Sequence, residues 1–63
     1  MFIELTAVMG DLKAKMILSV SLIESIQQAK NGGSIIIVSG WANTLKVEED
    51  YQYVIDYLEV INN

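Results

Sequence analysis

The chain has 63 residues, of which 52% are hydrophobic, and a net charge of −4 at pH 7, with neither His nor Cys. This length predicts one domain over residues 1–63, near the size at which a single core is only marginally stable. The missing Cys and His exclude disulfides and the common structural zinc sites, so self-association is the remaining way to stabilise the domain.

Two segments of alternating polarity open the chain. Residues 2–9 place Glu4 and Thr6 on a polar face and apolar residues on the other, which predicts a first strand. Gly10-Asp11 is a turn signal, and residues 13–20 alternate again. We therefore predict a β-hairpin from these two strands.

Residues 21–30 fit two structures. Ser21 with Glu24 three positions later is typical of a capping box, which favours a helix. In an extended conformation the same residues lead into Asn31-Gly32-Gly33, a strong hairpin turn signal. We favour a short turn over residues 21–23 followed by a strand, and we keep the helix as the alternative.

Residues 34–39 are the segment around which the rest of the chain is organised. Four consecutive apolar β-branched residues stand between glycines, a pattern typical of a strand buried on both faces. The domain's own helix can cover one face, whereas so short a chain has little left to cover the other. We therefore place Ile36 of this strand at a subunit interface.

The C-terminal part of the chain changes period. A loop, Gly40–Asn43, and a short strand over residues 44–47 precede apolar residues that recur at helical spacing: Tyr51, Val54, Ile55, Leu58 and Ile61. The acidic residues 48–50 stand where a helix N-terminus favours negative charge. This pattern predicts a C-terminal helix.

The predicted helix has more apolar surface than one small sheet can cover. Its polar residues fall within an arc of roughly 60°. Tyr53, Tyr57 and Val60 lie outside the core-facing stripe, and Tyr is enriched at subunit contacts. We predict that these three residues form a homo-oligomer interface. The whole chain then predicts an α+β fold, a small antiparallel β-meander of about four to five short strands with one C-terminal α-helix.

Five short segments carry a family resemblance: residues 2–6, 22–26, 33–37, 45–49 and 51–55. Together they resemble the small flagellar and swarming-motility protein family and similar short proteins of bacteria and phages. The resemblance implies a meander of short strands closed by a helix, and it implies no catalytic residue. The chain departs from the family pattern at Val20-Ser21, where an Asn-Pro-like turn is expected, and at Gly40–Asn43, where a Gly-Lys hairpin is expected.

No residue pattern predicts catalysis. The lack of His and Cys removes the common general bases, thiolate nucleophiles and Ser-His triads. Glu48-Glu49-Asp50 is better explained by the helix dipole than by a cation site, because three consecutive carboxylates do not converge as the ligands of a calcium loop do. We therefore expect no enzymatic activity, no metal and no cofactor.

Trp41, the only Trp of the chain, lies in the four-residue loop before the last strand. A loop Trp can pack within its own protein or oligomer, or it can anchor a partner or stack on a ring, and we keep both alternatives open. If it binds, Trp41 and its loop neighbour Asn43 are the candidate contacts for a partner or ligand.

Two functions compete on this basis. The first is a non-enzymatic, homo-oligomeric interaction protein, an adaptor or inhibitor of a partner protein. The alternative is an oligomer that sequesters a small anionic, nucleotide-like signal at its subunit junctions, with Trp41 stacked on the base and lysines of neighbouring copies on the phosphates. The net negative charge argues against nucleic acid as a partner. No segment has the roughly 20 apolar residues of a membrane span or the pattern of a signal peptide, so we expect no membrane and a cytoplasmic location.

Overall fold

The computed structural model describes residues 1–62, with side chains described through Val60. The elements in chain order are β1 (Phe2–Met9), β2 (Leu12–Ser19), a 3-10 turn (Val20–Leu22), β3 (Ile23–Gln28), β4 (Ser34–Val38), β5 (Leu45–Val47) and α1 (Tyr51–Asn62). Every strand pairing is antiparallel. The predicted α+β class, strands followed by one C-terminal helix, is confirmed.

β1 and β2 form the predicted hairpin, in register from Phe2 opposite Ser19 to Met9 opposite Leu12. The bounds predicted for β1 are those observed. β2 begins and ends one residue earlier than predicted, because Val20 already belongs to the 3-10 turn.

The extended alternative for the next segment is confirmed, and the helix alternative is wrong. A 3-10 turn, Val20–Leu22, leads directly into β3, which pairs with β4 through the Asn31-Gly32-Gly33 hairpin. The Ser21 hydroxyl lies 3.0 Å from that of Ser19 and does not cap a helix. With no cap and only three residues, the turn is too short for an α-helix.

The order of the strands differs from the predicted simple meander. It is β2-β1-β5-β4-β3, so β5 lies between β1 and β4 while β2 and β3 are the edges. In a flat sheet those edges would stand about 19 Å apart, because neighbouring strands are about 4.8 Å apart. The link from Ser19 to Ile23 can span only about 14 Å. The sheet must therefore roll up, bringing its edges towards each other around the core.

One hydrophobic cluster fills the interior of this rolled sheet. Its buried members are Ile3, Leu5, Ala7, Leu18, Ile36, Val38, Leu45, Val47 and, from α1, Val54. Tyr57 and Leu58 of the helix pack against the cluster. The helix thus covers the interior side of the sheet, and the outer side is left to solvent within the chain.

β4 is buried on one face only, which differs from the prediction of burial on both. Ser34, Ile36 and Val38 point into the core, whereas Ile35 is half-buried and Ile37 is 42% exposed on the outer face. Ile36 has no exposed surface in the chain. This corrects its assignment to a subunit interface: the helix side of the sheet already encloses it, and the outer face belongs to its two neighbours.

The three acidic residues before α1 have three separate partners. Glu48 pairs with Lys13 on β2. The Glu49 carboxylate accepts hydrogen bonds from the backbone N–H and the hydroxyl of Thr6 on β1. Asp50 caps the helix, since its carboxylate accepts the N–H of Tyr53 at 2.8 Å. All three carboxylates were predicted to stabilise the helix N-terminus, but of the three only Asp50 accepts a hydrogen bond from a helix N–H.

Within residues 1–62, no helix has the length and apolar character needed to cross a membrane. α1 has 12 residues, and its Val54 belongs to the core that lies on the interior side of the sheet.

Candidate functional site

Trp41 and Asn43 lie in the loop between β4 and β5, and both are exposed. The Trp41 N–H donates to the Val38 carbonyl at 3.1 Å, and the Ser39 N–H donates to the Leu22 carbonyl at 2.7 Å. These bonds tie the start of the loop to the end of β4 and to the 3-10 turn. Trp41 is 48% exposed, so about half of it is available to a partner.

The three helix residues predicted to form a subunit interface have different environments. Tyr53 and Val60 are 51% and 75% exposed, and they lie about 20° apart on the helix because they are seven positions apart in sequence. Tyr57 packs against the core, and its hydroxyl donates to the backbone carbonyl of Phe2. The surface that α1 offers to another molecule is therefore narrower than predicted, with Tyr53 and Val60 at its centre.

Exposed apolar residues are numerous for so small a domain. Among the side chains that the structure describes, eleven large hydrophobic residues are exposed, against nine hydrophobic residues buried in the core. The exposed set is Met1, Phe2, Met9, Leu12, Ile17, Leu22, Ile37, Trp41, Tyr51, Tyr53 and Val60. Single exposed hydrophobic residues are ordinary on protein surfaces, so the informative ones are those on one side of a single element, such as Tyr53 and Val60 on α1.

A cavity of about 630 Å³ opens beside the hairpin that joins β3 and β4. Its walls include three of the four lysines of the chain, Lys13, Lys30 and Lys46, together with Glu48. Val8 and Ile35 give it an apolar part, and the turn residues 29–33 form one wall. Lysines thus dominate the charge of this cavity in a chain that is acidic as a whole.

Strand pairing explains how lysines so distant in sequence come together. Val8 is opposite Lys13, and Ile35 is opposite Lys46. The pairing of Ala7 with Val47 sets Val8 beside Lys46, so these four side chains form one row on the outer face of four adjacent strands. The β3–β4 turn adds Lys30 to the end of this row.

The position of that turn depends on close backbone packing. The Asn31 side chain accepts the Gly33 N–H at 3.4 Å, and the Ala29 N–H donates to the Gly33 carbonyl at 2.9 Å. A Cβ at Gly33 would collide with the carbonyl oxygen of Val47. The turn therefore lies directly against β5, which holds Lys30 and Lys46 on the same side of the molecule.

The cavity lysines differ in their ionic partners. Lys13 Nζ lies 2.5 Å from the Glu48 carboxylate, and both side chains are more than half exposed. Among the residues that the structure describes, Lys30 and Lys46 have no ion pair. The fourth lysine, Lys15, lies outside the cavity with its Nζ 4.0 Å from Glu4. Within the part of the chain that the structure describes, the cavity therefore carries two cationic groups that pair with no carboxylate.

Trp41 is not part of this cavity. It follows β4, whereas the cavity lies at the beginning of that strand, so within one chain the Trp ring and these lysines lie at opposite ends of β4. The ligand hypothesis, which brings lysines of neighbouring copies to Trp41, stays a prediction. The cavity itself has no signal in the sequence, because its lysines are spread over residues 13–46. Over the part of the chain that the structure describes, no group of three acidic, His or Cys residues could hold a metal ion.

A scan against protein-family models, a search of curated proteins and a search of solved structures each find no match to this chain. The resemblance to the small flagellar and swarming-motility protein family therefore stays a prediction.

Proposed function

We propose that this chain is a non-enzymatic, homo-oligomeric interaction protein, an adaptor or inhibitor that acts by occupying a partner protein. The observation that carries the proposal is that eleven large apolar side chains are exposed, among those that the structure describes, on a domain whose core has nine buried hydrophobic residues and six partly buried ones packed against them. Removing such surface from water is the main driving force of protein association. For a domain of this size, self-association also supplies the stability that a small core lacks.

The helix is the best candidate for the contact between subunits. Tyr53 and Val60 form an exposed apolar pair that the fold of the single chain does not use. Asp56 and Glu59 flank the pair as exposed acidic residues, and residues 47–63 contain no basic residue. An apolar centre with a charged rim is the usual anatomy of a protein interface.

Val60→Asp is the direct test of this contact. Because Val60 is 75% exposed, the substitution removes no core contact, and a carboxylate in the last turn of α1 should cost the monomer less than about 1 kcal/mol. It places a charge at the centre of the proposed interface. We expect the dissociation constant for self-association to rise at least about tenfold, since a buried unpaired charge is costly. Native mass spectrometry over a concentration series measures the change.

Gln52→Glu controls for the added charge alone, because it places a carboxylate on the polar side of the same helix, at the cost of the hydrogen bond from Gln52 to Asp56. Gln52 donates to Asp56 at 2.7 Å and faces solvent, so this variant should self-associate like the unmodified chain. A monomeric unmodified chain at every concentration, or an unchanged dissociation constant for Val60→Asp, would refute the helix contact.

The loop Trp is the proposed contact with the partner protein. Trp41→Ala should reduce recovery of the partner at least about tenfold in quantitative affinity capture, as expected when a central aromatic residue is removed from an interface. Self-association should not change, because this proposal assigns the subunit contact to the helix and the partner contact to the Trp41 loop. Ile17→Ala is the control, since it removes an apolar side chain from β2 that is 67% exposed, more than Trp41. Equal losses for both variants would contradict a specific role for Trp41.

A further inference from the structure

We propose that the cavity lined by Lys13, Lys30 and Lys46 binds a small phosphorylated molecule. The phosphate groups would lie against the lysines, and an apolar or planar part of the ligand would lie on Val8 and Ile35. This site needs one chain only, so it is independent of the proposed helix contact.

The first argument is the concentration of positive charge. The chain has twice as many acidic as basic residues, yet three of its four lysines line one cavity with a single carboxylate. Lysines that served only solubility would be spaced among the acidic residues, where opposite charges attract. A concave surface lined by one sign of charge focuses the electrostatic field and attracts ligands of the opposite sign.

The second argument is the shape and chemistry of the walls. A volume of about 630 Å³ lies within the range of small-molecule sites. Each lysine ammonium offers three donors on a flexible stem, which suits phosphate oxygens in varied positions. Val8 and Ile35 lie in the same row as Lys13 and Lys46, so an apolar surface runs between the charges. This combination favours a ligand with both a phosphate group and an apolar body over a bare anion.

Glu48 sets the charge that the ligand must carry. In the free protein its carboxylate neutralises Lys13, which leaves Lys30 and Lys46 to attract an anion. Two cationic groups match a ligand with at least two negative charges, such as a nucleoside diphosphate or pyrophosphate. Because the carboxylate also repels that ligand, Glu48 should weaken binding.

Calorimetric titration of the full chain with ADP tests the site, at about 50 mM salt where charge interactions are only partly screened. Pyrophosphate, AMP and adenosine are the comparison ligands, since they separate the contribution of the phosphates from that of the apolar body. We expect ADP to bind more tightly than AMP or pyrophosphate, and adenosine to show no measurable binding.

The lysine variants locate the site. Lys30→Gln and Lys46→Gln should each weaken ADP binding about tenfold, the usual size of a lost charge-assisted hydrogen bond. Lys15→Gln is the matched control, because Lys15 lies on the same strand as Lys13 but outside the cavity. It should change the affinity less than about twofold, as expected for a screened surface charge.

Glu48→Gln gives an effect of opposite sign, which partial unfolding cannot imitate. Removing the carboxylate frees Lys13 and ends its repulsion, so ADP should bind about threefold more tightly. No binding of ADP or pyrophosphate, equal losses for Lys15→Gln and Lys46→Gln, or weaker binding by Glu48→Gln would each overturn the proposed site. Pyrophosphate binding as tightly as ADP would overturn its apolar part.

Discussion

Replacing Glu49 with Ala is expected to lower the free energy of unfolding by about 2–4 kcal/mol, because two hydrogen bonds to a charged acceptor are lost. A core of this size supplies only about 3–5 kcal/mol of net stability. We therefore expect much of the Glu49→Ala population to be unfolded near room temperature. Urea unfolding followed by circular dichroism measures the loss.

The reason for so large an effect is the position of Glu49 in the sheet. β5 has three residues, and Ala7 opposite Val47 is its register pair with β1. Beyond the strand, the Glu48 N–H donates to the Thr6 carbonyl at 2.9 Å, and the Glu49 carboxylate accepts the Thr6 N–H at 2.8 Å. The carboxylate thus replaces the backbone carbonyl of a longer strand.

Glu49 also connects the β3–β4 hairpin to this contact between β1 and the end of β5. Its backbone carbonyl accepts the hydroxyl of Ser34, which is buried at the start of β4, at 2.7 Å. The β1–β2 and β3–β4 hairpins meet through β5. Loss of the carboxylate therefore weakens the junction on which the rolled sheet depends and leaves the Thr6 N–H without its acceptor.

Two variants separate this role from charge alone. Glu49→Gln keeps one acceptor oxygen for the Thr6 N–H, so it should cost about half as much as Glu49→Ala. Glu48→Ala removes the neighbouring carboxylate and its exposed ion pair with Lys13, which should cost less than about 1 kcal/mol. If Glu48→Ala and Glu49→Ala were equally destabilising, the loss of a negative charge would explain the effect, and the hydrogen bonds between Glu49 and Thr6 would not.

The elements of this fold could be predicted because their signals are local. Alternation over residues 2–9 gives β1 with its observed bounds, since every second side chain enters the core. Asn31-Gly32-Gly33 marks the β3–β4 hairpin because Gly32 adopts a φ of 98°, which few residues other than glycine reach. The helix follows from its period, and Asp50 caps it as helix N-termini require.

The order of the strands could not be predicted in this way. Nothing in Leu45–Val47 shows that this short strand pairs with both β1 and β4, because the bonds that fix it come from Thr6 and Ser34, far away in sequence. The predicted burial of β4 on both faces failed for a related reason. The β-branched side chains of Ile35 and Ile37 favour a strand. They do not show whether the outer face of that strand is covered, which depends on what packs against it.

The same difference between local and long-range signals applies to the candidate sites. The exposure of Tyr53 and Val60 could be predicted because both lie outside the core-facing stripe of the helix, whereas for Trp41 in its loop the sequence left packing and binding open. The lysine cavity could not be predicted, since it exists only once β5 pairs with β1 and the β3–β4 turn lies against β5. Residues 13, 30 and 46 have no shared pattern in sequence.

Gly33→Ala should be the most destabilising single-methyl addition in this turn, at about 2–3 kcal/mol, because an overpacked buried site forces the backbone to move. Gly33 is buried, and the atom that its new Cβ would strike is the Val47 carbonyl oxygen of β5, not the end of a flexible side chain. Either the turn or β5 must shift, and both hold cavity lysines. Thermal unfolding measures the loss of stability.

Gly32→Ala is the matched control, one residue earlier in the same turn. No atom lies within 4 Å of a Cβ at Gly32, so its cost arises only from a φ of 98° and should be about 1 kcal/mol. Gly32→Asn should recover part of that cost, because Asn tolerates positive φ better than Ala does. No residue larger than glycine relieves the collision at Gly33. If Gly33→Ala lowered the stability no more than Gly32→Ala does, the turn would not lie against β5. The lysine cavity would then lose the wall that brings Lys30 beside Lys46.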